Sequence, residues 1–136
     1  ELGLSYRSSN LKISEDDLVM LRAEFVLEQV HTETLRSRAS GFIQHRRETQ
    51  PPGASIGSMF KNPPGDYAGR LIEKAGLKGF RLGKAEISTV HANFFVNLGG
   101  ASATEVVGLI NKARRTVRKF FDVDLELEIQ LIGEWL

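Results

Sequence analysis

The sequence predicts an α+β fold, a few short strands packed on helices. Three observations carry this. Residues 102–121 hold a capping signature followed by apolar side chains at helical spacing. Residues 85–87 and 94–98 are short apolar runs bounded by glycine and polar residues. Near the end, Leu125, Leu127, Ile129 and Leu131 alternate with Glu126, Glu128, Gln130 and Ile132, the pattern of a half-buried strand.

The elements follow in order. Residues 1–17 are polar, with Ser5, Ser8, Ser9, Asn10 and Ser14, and read as loop. In 18–30, Val19, Leu21, Ala23, Phe25 and Leu27 fall on one side of an extended chain, which favours a strand. The Ala, Leu and Glu content leaves a helix open there. Thr32 caps a helix in which Leu35, Ala39, Phe42 and Ile43 share a face. Pro51-Pro52-Gly53 ends it and marks a candidate domain boundary. Residues 53–66 read as a Gly/Ser/Pro loop. From Tyr67 to Ala75 the spacing of Ala68, Leu71, Ile72 and Ala75 is helical, and Gly76 is its C-cap. Gly79 and Gly83 mark turns. Ser102 with Glu105 forms a capping box ahead of Val106, Leu109, Ile110, Ala113 and Val117.

Composition excludes several function classes. The 136 residues are 41% hydrophobic and 26% charged, which is globular rather than disordered. Eighteen basic against seventeen acidic residues leave a net charge of +1, so no polyanionic partner is demanded and no nucleic acid is expected. The absence of cysteine excludes disulfides, thiolate zinc and a thiol nucleophile. His31, His45 and His91 lack metal-site spacing, so no metal is expected. No apolar run approaches the roughly 20 residues that span a bilayer, and no signal-peptide pattern opens the chain. The expected setting is cytoplasmic, without a membrane. The chain opens Glu1-Leu2-Gly3 without methionine, which reads as a piece of something longer.

The densest chemical signal is the loop from Gly57 to Pro64. Glycine admits close approach of a ligand, Ser58 offers a hydroxyl, Lys61 a charge and Asn62 a donor and an acceptor. A serine-hydrolase elbow is excluded, because Phe60 stands where its second glycine belongs. Ser58 can serve instead as a proton donor, with Glu128 as a general acid opposite it. His91 can hydrogen-bond a ligand. Each has a blander reading: a turn before a helix, a solvated carboxylate, a structural histidine. Lys112, Arg114, Arg115, Arg118 and Lys119 make the long helix basic. No aromatic side chains interleave there as stacking platforms, so a solvated face is expected.

Four motifs in sequence resemble a known family. They are Gly57-Ser58-Met59-Phe60-Lys61-Asn62-Pro63, residues 68–79 from Ala68-Gly69-Arg70 to Lys78-Gly79, Ile87-Ser88 with His91-Ala92-Asn93-Phe94, and Leu125-Glu126-Leu127-Glu128-Ile129 with Ile132-Gly133. They look like the C-terminal half of UDP-N-acetylenolpyruvoylglucosamine reductase (UDP-N-acetylmuramate dehydrogenase), in its shorter type. Tyr6-Arg7-Ser8-Ser9-Asn10-Leu11-Lys12 is similar to an earlier segment of the same family.

The resemblance implies that residues 1–47 end an FAD-binding α+β domain and 48–136 form a small UDP-sugar substrate-binding α+β domain. It implies FAD, mostly bound by an N-terminal half, NADPH as hydride donor, and UDP-N-acetylglucosamine enolpyruvate as substrate. By resemblance Ser58 is the proton donor, and Glu128 and Arg7 stabilise the carboxylate-conjugated intermediate. Asn62, Lys78, His91, Lys61 and Tyr67 are its implied substrate contacts, His91 standing where some members carry glutamine. Ser8 and Gln130 depart from the family's Asp and Arg. The chain alone is expected to be inactive and monomeric. The alternative is a stand-alone nucleotide- or RNA-binding α+β module using Lys112, Arg115 and Lys119.

Overall fold

The computed structural model describes residues 2–13 and 19–134. The chain divides into two compact units, Glu1–Gly41 and Phe42–Leu136.

In the first unit, Ser5 and Ser8 exchange backbone N–H···O bonds of 3.1 and 3.2 Å, closing a turn that holds Arg7 at φ 56°. Helix α1 (Asn10–Ile13) follows. This corrects the loop expected there. The N–H groups of Lys12 and Ile13 reach the Ser9 carbonyl, so backbone bonding makes one helical turn from polar residues. Residues 14–17 of that expected loop, and Leu18 of the expected strand, lie outside the described residues. The strand expected over 18–30 is also corrected: residues 19–30 form neither strand nor helix. Leu21 is 93% exposed and Phe25 79%. Alternation marks a face, but a strand exists only when a neighbour pairs with it. No strand among the described residues does so. Helix α2 (Thr32–Thr49) begins where Thr32 signals it and buries none of its residues.

The second unit carries the sheet. Its strands are β1 (Ala54–Ser58), β2 (Arg81–Leu82), β3 (Ala85–Ile87) and β4 (Phe94–Asn97). Among the described residues they form one antiparallel sheet in the order β1-β4-β3-β2. β3 and β4 are the expected strands. β1 lies within the segment read as loop, a second correction. It is an edge strand, mostly exposed, so Ala-Ser-Ile-Gly-Ser shows no apolar alternation. Its register against β4 shifts between Ser55 and Ser58, and Gly57 there adopts φ 85°, which suits glycine. β2 is a two-residue strand inside the expected turn, set against β3.

The strand expected over 125–132 reduces to an isolated bridge, Phe60 opposite Leu127. Two backbone bonds frame it: Lys61 N–H to the Glu126 carbonyl at 2.8 Å and Glu128 N–H to the Met59 carbonyl at 3.0 Å. Among the described residues no second pair extends this bridge. Leu125 is buried, Leu127, Glu128 and Ile129 are half-buried, and Glu126, Gln130 and Leu131 are exposed, so the alternation governs burial only in part.

Helix α3 (Ala68–Lys74) turns Ala68, Leu71 and Ile72 inward. Helix α4 (Ala103–Phe121) opens with the capping box read from the sequence: Ser102 Oγ accepts from Glu105 N–H, and Glu105 Oε2 accepts from Ser102 N–H at 2.9 Å. α4 packs on β2, β3 and α3. Leu109, Ile110, Ala113 and Val117 of α4 meet Met59, Phe60, Ile72, Ile87 and Leu125 in one core. The α+β class read from the sequence is the class observed.

Leu125 has no exposed surface. Leu125→Ala should therefore cost about 2–5 kcal/mol in urea unfolding; a cost below about 1 kcal/mol would remove it from the core. Ser102→Ala should cost about 1 kcal/mol by loss of the cap.

Candidate functional site

A buried carboxamide builds the site. Asn93, 3% exposed, accepts from Phe60 N–H through Oδ1 at 2.9 Å and donates from Nδ2 to the Phe60 carbonyl at 2.8 Å. Its own carbonyl accepts from Met59 N–H at 2.8 Å. The loop that leads into Asn93 is held from within. Ser88 Oγ, also buried, accepts from the N–H groups of Val90 and His91 at 3.0 and 3.3 Å. Ser58, half-buried at the end of β1, is thereby set beside a cavity of about 340 Å³. Its hydroxyl makes no hydrogen bond to a described residue.

Asn62, Tyr67 and His91 line the same cavity, with Gly69, Arg70, Glu73 and Asn93. Four of the residues singled out in the sequence therefore come together. Asn62 Oδ1 accepts from Ala68 N–H at 3.1 Å, so it caps α3 in place of the N-cap residue Tyr67, whose own side chain makes no capping bond. Tyr67 is 67% exposed.

His91 lies against Phe94, ring centroids 4.9 Å apart, and its Nδ1 accepts from Asn93 N–H at 3.2 Å. That bond leaves the neutral ring's proton on Nε2. Burial holds the imidazole below its ordinary 6.5, and the charge of Lys78 pushes the same way. Gly69 makes room for the ring: a Cβ there would come within 2.9 Å of His91 Cε1.

Ion pairs border the cavity. Arg70 clamps the Asp66 carboxylate through Nε, at 2.6 Å, and Nη2. This bond and the Tyr67 N–H hold Asp66 down at about 2. Lys78 Nζ sits 3.0 Å from Glu73. Lys61 pairs with Glu126, and neither lines the cavity. Glu128 is half-buried, and its N–H on the Met59 carbonyl places it across the bridge from the Ser58-Met59-Phe60 segment. Arg7 belongs to the first unit, where Lys12 Nζ donates to its carbonyl at 3.3 Å and its guanidinium lies 5.9 Å from the Tyr6 ring centroid.

Sequence reasoning missed Gly69, Arg70, Glu73 and Asn93 as members of the site. The Asp66/Arg70 spacing of i,i+4 was a usable signal. Asn93 gave none, because its role depends on a partner 33 positions away. Two lysines of α4 lie near aromatic rings. Lys112 Nζ sits 5.5 Å from the Phe80 ring centroid and Lys119 Nζ 5.9 Å from that of Phe120. Phe80 comes from just before β2, so its proximity was not visible along the helix. No described helix is long and apolar enough to cross a membrane, and no three His, Asp or Glu among the described residues are grouped to hold a metal.

Fold and cavity define a small α+β domain that sets a serine hydroxyl and several polar side chains around one opening. The family model of the UDP-N-acetylenolpyruvoylglucosamine reductase C-terminal domain matches residues 48–132, and the chain belongs to that family. It is 48% identical over 134 residues to the UDP-N-acetylenolpyruvoylglucosamine reductase of Rubrobacter xylanophilus, covering 98% of this chain and 45% of that protein. It is 48% identical over 135 residues to the reductase of Chloroflexus aggregans, covering 97% and 46%. The crystal structure of the Thermus caldophilus reductase superposes with a TM-score of 0.78 at 39% identity, over 95% of this chain and 45% of that one. The chain spans about half the length of the relatives it matches.

NMR titration should show Asp66 ionising near 2, and Arg70→Leu should return it towards 3.8. The stability from this pair is complete above 3.8 and lost as pH falls towards 2. His91 should titrate below 6.5, so its share of stability is complete above that pH and is lost on acidification. A His91 midpoint above 6.5 would contradict the site as described.

Proposed function

We propose that this chain is the C-terminal part of a flavoenzyme that reduces UDP-N-acetylglucosamine enolpyruvate to UDP-N-acetylmuramate in peptidoglycan precursor synthesis. In this reading residues 48–136 are the UDP-sugar domain and 1–47 end the FAD-binding domain. The observation that carries it is the pairing of the Glu128 backbone with the segment that holds Ser58. Glu128 N–H donates to the Met59 carbonyl, next to Ser58. Family membership and the names of the relatives support the substrate class.

The chemistry asked of these residues is modest. Hydride addition to the terminal vinyl carbon leaves negative charge conjugated with the substrate carboxylate, and the adjacent carbon then needs a proton. The Ser58 hydroxyl, committed to no described partner, donates it. By resemblance Glu128, in its proton-bearing form, and Arg7 stabilise the developing charge. His91 presents an uncharged Nε2–H donor, the same kind of group as the glutamine amide it replaces in some members. Asn62 and Tyr67, which line the cavity, and Lys78, paired with Glu73 at its border, take the sugar and diphosphate; Lys61, paired with Glu126 outside the lining, keeps that role by resemblance only.

The cavity lining sets Asn62, Tyr67, Arg70, Glu73 and His91 beside the apolar Val90 and Ala92, and its hydrogen-bonding groups support a sugar nucleotide as ligand. FAD, recharged by NADPH, supplies the hydride from the remainder of the enzyme, and no step assigned to this chain runs through it. The chain alone, a cytoplasmic monomer in this reading, neither retains flavin nor turns over.

The test follows NADPH oxidation by a full-length reductase that carries this chain, with and without UDP-N-acetylglucosamine enolpyruvate. Oxidation should depend on the substrate, and Ser58→Ala should lower kcat by about 10²–10⁴-fold. Oxidation that ignores the substrate, or an unimpaired Ser58→Ala, would overturn the reading. Stoichiometric flavin on the 136-residue chain would overturn its predicted inactivity alone.

A further inference from the structure

We propose that Asn93 is the positioning residue of this site: its carboxamide fixes the Ser58-Met59-Phe60 segment at the cavity and, through that segment, the register of the Glu128 backbone. The inference rests on the proposed roles of Ser58 and Glu128 and adds what holds them.

Every polar atom of Asn93 bonds within the site. Oδ1 and Nδ2 take the N–H and carbonyl of Phe60, the backbone carbonyl takes Met59 N–H, and the backbone N–H reaches His91 Nδ1. The backbone ladder between β1 and β4 reaches its last pair at Ser58 and Phe94. Met59 N–H then meets the Asn93 carbonyl, and at Phe60 the side chain of Asn93 takes the place of the next backbone partner. A primary carboxamide offers an acceptor and a donor side by side, the same pair that a strand residue offers. Phe60 is thereby held on one side by Asn93 and faces Leu127 on the other. The chain of contacts runs from Asn93 to Phe60 and Met59, and from the Met59 carbonyl to Glu128 N–H at 3.0 Å.

Ordinary core packing would explain burial but not this chemistry. Leucine has nearly the shape of asparagine and no polar atoms, and would strand both Phe60 groups without partners. Aspartate keeps the acceptor for Phe60 N–H and sets a second oxygen against the Phe60 carbonyl. Both variants leave the backbone bonds of Asn93, including the one to His91. They should therefore disturb the reacting groups more than ligand capture.

The experiment compares Asn93→Asp and Asn93→Leu with Val117→Ala in the full-length reductase carrying this chain. Val117 is a fully buried α4 residue remote in sequence from the loop, and reports general loss of stability. Both Asn93 variants should lose about 10²-fold in kcat, the scale of an ångström-sized misplacement, with KM for the UDP-sugar within about threefold of the parent. Val117→Ala should be less stable with kcat near the parent value. Amide hydrogen exchange on the same proteins gives a second readout. Asn93→Leu should lower protection of Met59, Phe60 and Glu128 by about tenfold or more while the amides of α4 hold theirs.

The proposal is overturned if the Asn93 variants keep parental kcat. It is equally overturned if Val117→Ala loses kcat as they do, or if protection at Met59, Phe60 and Glu128 survives. A parent that ignores the UDP-sugar would sink the functional reading and the catalytic half of this one together. An active parent with indifferent Asn93 variants would sink this inference alone.

Discussion

One side-chain-to-backbone pairing organises the second unit. Asn93 meets both polar groups of Phe60 in the interior, at 2.8 and 2.9 Å. Buried backbone groups must find partners, and here no neighbouring strand is available to supply them. The carboxamide lets three segments share one place: the start of β4, the loop after β1, and the Leu125–Glu128 stretch. Without it Phe60 would carry an unpaired N–H and carbonyl into the core, where the aromatic ring packs edge-on against Phe95 at 6.1 Å. Polar satisfaction and apolar packing are the same event at this residue.

The cavity beside that junction is electrically balanced. Asp66 is bound by Arg70 and Glu73 by Lys78, and His91 is kept neutral by burial. An anionic ligand would meet cations that already have partners and neutral donors whose direction is set. The Ser58 hydroxyl differs from these groups in being committed to none of the described residues. Two glycines make the geometry possible. Gly57 takes up the register shift that ends β1, and Gly69 leaves the volume that the His91 ring needs beside α3.

Legibility in the sequence divided along the range of each interaction. The α4 capping box, the inward face of Leu109, Ile110, Ala113 and Val117, and the Gly76 ending of α3 were readable because each is complete within a few residues. β4 was readable from the consecutive Phe94, Phe95 and Val96, and β3 from Ala85 and Ile87 on either side of Glu86, which pairs with Arg81. β1 was not, since an edge strand with an exposed face and a bulge has the composition of a loop. The alternation in 19–30 and 125–132 was real, but alternation describes faces and not partners. The first stretch has no strand beside it among the described residues, and the second meets its neighbour at one bridge, Phe60 opposite Leu127.

The site shows the same division. Ser58, Asn62, Tyr67 and His91 were identifiable from residue types and from motifs shared with the reductase family, and they line one cavity. Helix starts, helix faces and the family itself were thus set locally, by capping chemistry, by periodicity and by residue order. The pairing of Asn93 with Phe60, the seat of His91 over Gly69 and the bond from Glu128 N–H to the Met59 carbonyl were decided in three dimensions. The reason is physical: a carboxamide, a missing Cβ or a backbone N–H acquires its role only from the atom that folding places opposite it.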